Sequence, residues 1–276
     1  MPYLETGGAR IAYTDTGTPT GRPDAPTVVF GHGLLFGGWM FRHQVRTLRG
    51  SHRCVTLDWR GQGASPAAGP SDMDTLALDA AAVVEALGSG PVHWVGLSMG
   101  GFVGLRLAAR RAELLRSLTL LGTSADAEEP AAARQYGRLG AVQRLVGVRP
   151  IASRITPLLF GSDADPALVR EWLVRLDTAD RAGIRAAVRG VAERASVAGE
   201  LSAIGVPTLI ATGDQDRATP PDRARAIHAG IPGSRLAVLE GCGHTSALER
   251  PAEVTRLLHA FLHEVDRTSC VRGTVP

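Results

Sequence analysis

One short segment constrains the fold of this chain more than any other: GLSMG (96–100), which has the form G-x-S-x-G. An apolar run, VHWVGL (92–97), precedes the serine, and the residues after it have the apolar spacing of a helix. A chain that leaves a buried strand and enters a helix here needs a sharp turn, because side chains at the glycine positions would collide with neighbouring backbone. Such a turn lifts the hydroxyl of Ser98 clear of the backbone. An incidental serine in an ordinary strand-to-helix turn is the alternative, whereas a dinucleotide-binding loop would need a glycine at Ser98.

Strands and helices alternate along most of the chain. Gly7-Gly8 lies between two segments of alternating residues and predicts an N-terminal β-hairpin. The apolar runs predict later strands at 27–30, 53–59, 92–97, 115–123, 206–214 and 234–243. Helical spacing is evident at 75–87, after Ser98 and near the C-terminal end. This order predicts an α/β fold with a mostly parallel central sheet and helices on both faces.

The alternation stops between residues 125 and 200. This segment has the pattern of successive short helices with no strand between them. An insertion between two parallel strands would lie over the carboxyl ends of the sheet as a lid. We therefore expect a core formed by 1–124 and 201–276, interrupted by a helical cap at 125–200.

Composition excludes several classes of protein. All 30 basic residues are arginine, so a P-loop, which needs a lysine on the phosphates, and a Schiff-base lysine enzyme are both excluded. The formal net charge is only +3 and the arginines are scattered, so we expect no nucleic-acid partner. Three cysteines (Cys54, Cys242 and Cys270) are too few and too far apart for a disulfide framework or a zinc site.

The sequence shows no segment suited to a membrane. No run approaches 18 apolar residues, and the first residues lack the basic start and apolar stretch of a signal peptide. We therefore expect a cytoplasmic protein with a small-molecule substrate and no membrane partner. The oligomeric state is left open.

A serine hydroxyl is a poor nucleophile at neutral pH and needs a base, which in turn needs an orienting acid. The segment TLIATGDQDRATP offers Asp214 and Asp216, and LEGCGHTSALERP offers His244, each after a later strand. The chain order Ser, Asp, His is the order expected of one fold in which this triad occurs.

Five motifs identify that fold: HGLLFGGW, DWRGQGAS, GLSMGG, GDQDRATP and GHTSALERP. Together they resemble the α/β-hydrolase superfamily with a helical cap, over about residues 10 to 265. The resemblance implies that Ser98 is the nucleophile, His244 the general base and Asp216 the acid, with no cofactor and no metal. Asp214 and Asp126 are less favoured positions for the acid.

The resemblance also implies an oxyanion hole and a pocket. The backbone N–H groups of Met99 and Leu34 would stabilise the oxyanion. Residues of the first loop are assigned to the substrate pocket: His32, Leu35 and Trp39. For His32 a turn-shaping role is favoured, and for Trp39 a place in the core is an equal alternative.

Four other features could have a function, but a simpler interpretation is favoured for each. Cys242 could be a nucleophile, yet its glycine neighbours indicate a loop that positions the histidine. The pair His259 and His263 has metal-binding spacing but lacks the glutamate of a zinc-protease helix, so a solvated face is favoured. Asp58 and Arg60 are assigned to structure. A solvated stripe is also favoured for three arginines of the cap: Arg181, Arg185 and Arg189.

The favoured function is a serine hydrolase that acts on small carboxylic esters or lactones through an acyl-enzyme, similar to enol-lactone hydrolases, esterases and haloperoxidase-like relatives. A carbon–carbon bond hydrolase and a cofactor-free perhydrolase use the same triad, although the H-G-x-G-P-G loop common in the former is absent. Serine at the turn argues against haloalkane dehalogenases and epoxide hydrolases, which have aspartate there. A small-molecule receptor that retains the fold is an alternative of another class.

Overall fold

The computed structural model describes residues 1–147 and 149–272, in which eight strands form one sheet. The strands are β1 (Tyr3–Thr6), β2 (Ala9–Asp15), β3 (Thr27–Gly31), β4 (Arg53–Leu57), β5 (Val92–Leu97), β6 (Leu115–Leu121), β7 (Thr208–Gly213) and β8 (Arg235–Leu239). Their order in the sheet is β1-β2-β4-β3-β5-β6-β7-β8. The first two strands form an antiparallel hairpin, β2 pairs antiparallel with β4, and the remaining pairs are parallel. The predicted α/β fold with a mostly parallel sheet is confirmed.

Helices connect the parallel strands. They are α1 (Arg42–Leu48), α2 (Met73–Leu87), α3 (Met99–Arg110), α4 (Pro130–Val146), α5 (Ala152–Leu159), α6 (Pro166–Asp177), α7 (Arg181–Ala192), α8 (Pro221–Gly230), α9 (Ser246–Glu249) and α10 (Pro251–Arg272). Helix α2 begins at the cap residue Asp72, whose carboxylate accepts from two backbone N–H groups, and ends at Gly88 in the left-handed region. None of the helices in the described part of the chain is long and apolar enough to cross a membrane.

The core has two halves, one on each face of the sheet. Along β3, Val28 and Phe30 pack into one half, and Val29 between them packs into the other. Trp94 and Val95 of β5 divide in the same way. Strands that are buried on both faces have no polar alternation, which explains their near-continuous apolar runs.

Several strands are shorter than the apolar patterns predict. The predicted strand 53–59 ends at Leu57, and the predicted strand 115–123 ends at Leu121. Past the end of β4 the backbone leaves the ladder with β3, since the N–H of Trp59 donates to the His32 imidazole instead of to a strand carbonyl. The residues beyond the last ladder pairs form the loops at the carboxyl edge of the sheet.

Four helices, α4 to α7, lie between β6 and β7, and no strand occurs among the described residues of this segment. Helices α6 and α7 are preceded by the N-cap residues Asp165 and Asp180, whose side chains accept from backbone N–H groups of the first turn. Helices α4 and α7 pack against each other.

Candidate active site

The turn after β5 has the strained geometry that its sequence predicts. Ser98 has φ +52° and ψ −110°, outside the regions that a non-glycine residue normally occupies. A β-carbon at Gly96 would overlap the carbonyl oxygen of Gly100, and one at Gly100 would overlap that of Gly31. Only glycine therefore allows β3, β5 and α3 to approach this closely.

The imidazole of His244 is hydrogen-bonded to the carboxylate of Asp216. Its Nδ1 atom lies 2.8 Å from Oδ2 and 3.0 Å from Oδ1 of Asp216, and both residues are buried. Asp216 also accepts from the backbone N–H groups of Ala218 and Thr219 and from the Thr219 hydroxyl. These donors fix the carboxylate, so the hydrogen bond to Nδ1 fixes the ring and directs Nε2 away from Asp216.

The pKa of His244 is raised above its ordinary value of 6.5. Burial alone would lower this pKa, but the nearby carboxylates of Asp216 and Glu249 favour the charged ring and outweigh it. Asp216 acts through its charge and its hydrogen bond, and Glu249 through its charge. The site therefore stabilises an imidazolium, which is the form that a general base reaches after it accepts a proton.

Sequence reasoning missed Glu249, which holds the histidine loop. Its carboxylate accepts from the backbone N–H groups of Gly243 and Thr245, on either side of His244, and from the Thr245 hydroxyl. It also accepts from the backbone N–H of Gly161, just after α5. The glutamate in GHTSALERP was the available signal, but its partners depend on the loop conformation.

The other candidate acids lie elsewhere. Asp214 accepts from the backbone N–H of Cys242, and Asp126 forms an ion pair with Arg223 at 2.7 Å.

The Cys242 thiol is buried, and burial raises its pKa far above the range in which a thiolate forms. The side chain of Cys270 lies outside the part of the chain that is described.

Ser98 and His244 face one cavity of about 850 Å³, including the open space at its mouth. Among the hydrogen bonds of the described residues, none joins the Ser98 hydroxyl to the imidazole, although both groups line the same space. Hydrogen bonds of this kind often tighten only when substrate binds. Branched aliphatic side chains of α4, α5 and α7 form much of the wall.

Two backbone N–H groups beside Ser98 are suited to an anion. The amides of Leu34 and Met99 donate no hydrogen bond to any residue in the described ranges, and Met99 begins α3. The adjacent amide of Leu35, a residue with φ +68°, instead donates to Oε1 of Gln62. The buried Gln62 also approaches the sulfur of Met99 through Nε2, at 3.9 Å, and so connects the two loops.

Leu35 lines the cavity, but the other two predicted pocket residues do not. His32 is fully buried behind its loop: Nε2 accepts from the backbone N–H of Trp59, and Nδ1 lies 2.7 Å from the carbonyl oxygen of Gly33. Burial lowers the pKa of His32, so the ring stays neutral. Trp39 points to a separate surface depression, where Arg175 stacks on its ring at 4.4 Å.

The remaining candidates from the sequence are structural or lie at the surface. Arg60 forms a buried ion pair with Asp79, and the Asp58 carboxylate accepts from backbone N–H groups of two loops. The rings of His259 and His263 stack on each other. Arg185 and Arg189 border a depression outside the cavity.

A second group of histidines lies at the amino ends of the parallel strands, on the side of the sheet opposite the cavity. His52 precedes β4 and His93 lies at the start of β5, and their Nε2 atoms lie 3.2 and 3.1 Å from the two carboxylate oxygens of Asp266 on α10. Each Nδ1 faces a serine hydroxyl, that of Ser51 or Ser117. Among the described residues this is the one group of three such side chains close enough to hold a metal.

Comparison with known proteins gives consistent results. The profile of the alpha/beta hydrolase fold family matches residues 26–251. A pimeloyl-[acyl-carrier protein] methyl ester esterase of Neisseria meningitidis is 31% identical over 258 residues, which cover 88% of this chain and 96% of that protein. A thermophilic esterase from Thermogutta terrifontis has a TM-score of 0.88 and 28% identity, covering 96% of this chain and 99% of its own. An enol-lactonase from Burkholderia xenovorans has a TM-score of 0.87 and 26% identity, covering 95% of this chain and 100% of its own.

Proposed function

Because this chain belongs to the α/β-hydrolase fold family, we propose that it is a serine hydrolase of small carboxylic esters or lactones. Ser98 is the nucleophile, His244 the general base and Asp216 the acid that orients it. The observation that carries this proposal is the His244–Asp216 pair, 2.8 Å apart, at the cavity that Ser98 lines.

The reaction has two halves. As the Ser98 oxygen bonds to the carbonyl carbon, Nε2 of His244 takes the hydroxyl proton, and the carbonyl becomes an oxyanion. The oxyanion collapses, the bond to the alcohol oxygen breaks, and the imidazolium gives its proton to that oxygen. Water then attacks the acyl-enzyme with His244 again as base, which releases the acid and restores Ser98.

The oxyanion is stabilised by the backbone N–H groups of Leu34 and Met99. Both are without acceptors among the described residues, and Gln62 holds their loops together. Losing one such donor typically costs about 100- to 1,000-fold in rate. Since the donors are backbone groups, the side chains of Leu34 and Met99 do not need to be polar.

Residues 125–200 act as a cap over this site, between core segments 1–124 and 201–276. The support is that α4, α5 and α7 supply cavity-lining side chains, including Leu139, Ile155 and Val188. An aliphatic wall excludes water and favours an apolar acyl or alcohol group. The esterase and enol-lactonase among the similar proteins support the same substrate class.

A panel of nitrophenyl acyl esters and aliphatic lactones tests this function, with Ser98→Ala as the control. We expect turnover by the natural chain and none above background by the variant. Tight ligand binding without turnover of any ester or lactone would favour a receptor. Turnover confined to carbon–carbon substrates, or to peroxide-dependent halogenation, would favour the two enzymes that share the triad.

A further inference from the structure

Helix α4 places an unpartnered polar group in the wall of the cavity. Gln143 lines this space and is only 5% exposed. Its Oε1 atom accepts no hydrogen bond from any residue that the structure describes. A buried acceptor without a partner lowers the stability of the fold, so such a group calls for an explanation.

Gln143 shares one face of α4 with other cavity residues. Tyr136, Leu139 and Gly140 also line the cavity, and spacings of three and four residues place all four on the same side of the helix. The side chain of Gln143 is therefore directed towards the cavity by the helix itself, whereas Leu145, 79% exposed, lies on the outer face.

The packing of α4 on α7 shows what surrounds Gln143. A β-carbon at Gly140 would lie 3.3 Å from Val188, and one at Gly147 would lie 3.1 Å from Arg181. The two helices are therefore antiparallel, and Gln143 lies between these contacts at the level of Ile184, another cavity residue. The cavity residues of this part of the wall, Leu139, Ile184 and Val188, are aliphatic.

Gln143 lies at a different level of α4 from Tyr136, which lines the same cavity. Burial raises the pKa of Tyr136 to about 12, and the charges of Glu128 and Asp216 contribute to this shift. Gln143 is two helical turns further along α4, about 10.5 Å along the helix axis. A substrate that extends along this wall from the level of Tyr136 to Gln143 therefore needs a chain of several atoms.

The cap wall has two other polar residues, Glu128 and Tyr136, and Glu128 already has a partner. Its carboxylate pairs with Arg194 at 2.8 Å, and both side chains are largely buried. Thr219, on the core side of the cavity, donates its hydroxyl to Asp216. Gln143 is therefore the group of this wall with a demonstrated unfilled acceptor.

We propose that Gln143 is a specificity-determining residue that accepts a hydrogen bond from a hydroxyl or amide N–H remote from the scissile carbonyl. The inference rests on the proposed function and narrows its substrate class. The substrate is an ester or lactone with an apolar chain that bears a hydrogen-bond donor several atoms from the reacting centre. An aliphatic wall binds the chain, and the donor pairs with Oε1.

The test compares matched esters with and without a hydroxyl. One series carries the hydroxyl at successive positions of a nitrophenyl acyl chain, and a second carries it on the alcohol of an acetate ester. For the natural chain we expect one position in one series at which the hydroxyl raises kcat/KM at least about tenfold over that of the neighbouring positions. The variant Gln143→Met keeps the length of the side chain and removes the amide, so this preference is expected to disappear.

Two controls separate the possible outcomes. Leu139→Met alters the same wall without touching the amide, so it is expected to keep the positional preference. Unsubstituted esters report the proposed function, since their turnover depends on Ser98 whatever Gln143 does. A preference that survives in Gln143→Met, or no preference in either series while plain esters are hydrolysed, would overturn the inference.

Stability gives a second readout. Because Gln143→Met removes an unpaired buried acceptor, we expect its urea midpoint to equal or exceed that of the natural chain. A structural amide that was paired in solution would give the opposite result, a lower midpoint. That result would contradict the proposal.

Discussion

At each end of the parallel strands a buried histidine contacts an aspartate, and the two arrangements differ in what the rings are free to do. At the carboxyl edge, Asp216 contacts one imidazole, and the pKa of His244 is raised. At the amino edge, the Asp266 carboxylate contacts His52, His93 and Arg116, and burial lowers the pKa of His93 although Asp266 opposes the shift.

The difference shows that the surroundings of a histidine decide its role. Both ring nitrogens of His93 have partners, Asp266 and the Ser117 hydroxyl, so the ring links α10 to β5 and β6 and stays neutral. The ring of His244 uses Nδ1 for Asp216 and borders a cavity. His32 follows the first pattern, since both of its nitrogens face backbone groups.

The largest expected effect is on activity, and it distinguishes His244 from His93. Replacement His244→Ala is expected to lower kcat/KM by about 10⁴-fold or more, because the proposed general base is lost. Replacement His93→Gln is expected to lower the free energy of unfolding by about 1–3 kcal/mol, through lost buried hydrogen bonds, without a comparable loss of activity. Ester kinetics and urea unfolding of both variants test this. The comparison fails if His93→Gln abolishes turnover by a folded protein.

Replacing the two aspartates should separate activity from stability in the same way, with the loss of kcat confined to Asp216. In Asp216→Asn the carboxylate that fixes the ring and its charge is lost, so kcat is expected to fall by about 10⁴-fold. Asp266→Asn is expected to reduce stability by about 1 kcal/mol and to leave kcat within a few-fold, since Asp266 is partly exposed and remote from the cavity. Equal losses of kcat in both variants would remove the distinction between the two edges.

The pH dependence of activity gives a smaller effect. The proposed reaction needs neutral His244. Because the raised pKa of His244 extends its charged form to higher pH, kcat/KM is expected to fall as pH drops through a value above 6.5. In Asp216→Asn the remaining activity should fall at a lower pH, because burial lowers the pKa and the main opposing charge is gone. A midpoint that moves to higher pH in this variant would contradict the account.

Sequence reasoning predicted the fold because the strands are buried on both faces and leave long apolar runs. The positions of Ser98, Asp216 and His244 after strands β5, β7 and β8 followed from the same pattern. The ends of several strands, such as β4, were predicted too late, since residues such as Trp59 remain apolar after they leave the ladder.

The supporting residues could not be found in this way. Glu249 and Gln62 act on backbone N–H groups of loops, and those contacts exist only once the loops have folded. Gly122 is another example: a side chain there would lie 2.9 Å from the carboxylate of Asp216, yet the glycine follows β6 without any motif. His32 and Trp39 lie on either side of the cavity residues Leu34 and Leu35 in sequence but do not line the cavity, which a linear pattern does not encode.

The most direct test of the central claim, that the Asp216-held His244 activates Ser98, is the rate and site of reaction with a fluorophosphonate, measured by intact mass and peptide mapping. The account predicts one adduct per chain, on Ser98, formed at least about 10³-fold more slowly in His244→Ala. An adduct on another residue, or an equal rate of labelling in His244→Ala, would contradict it.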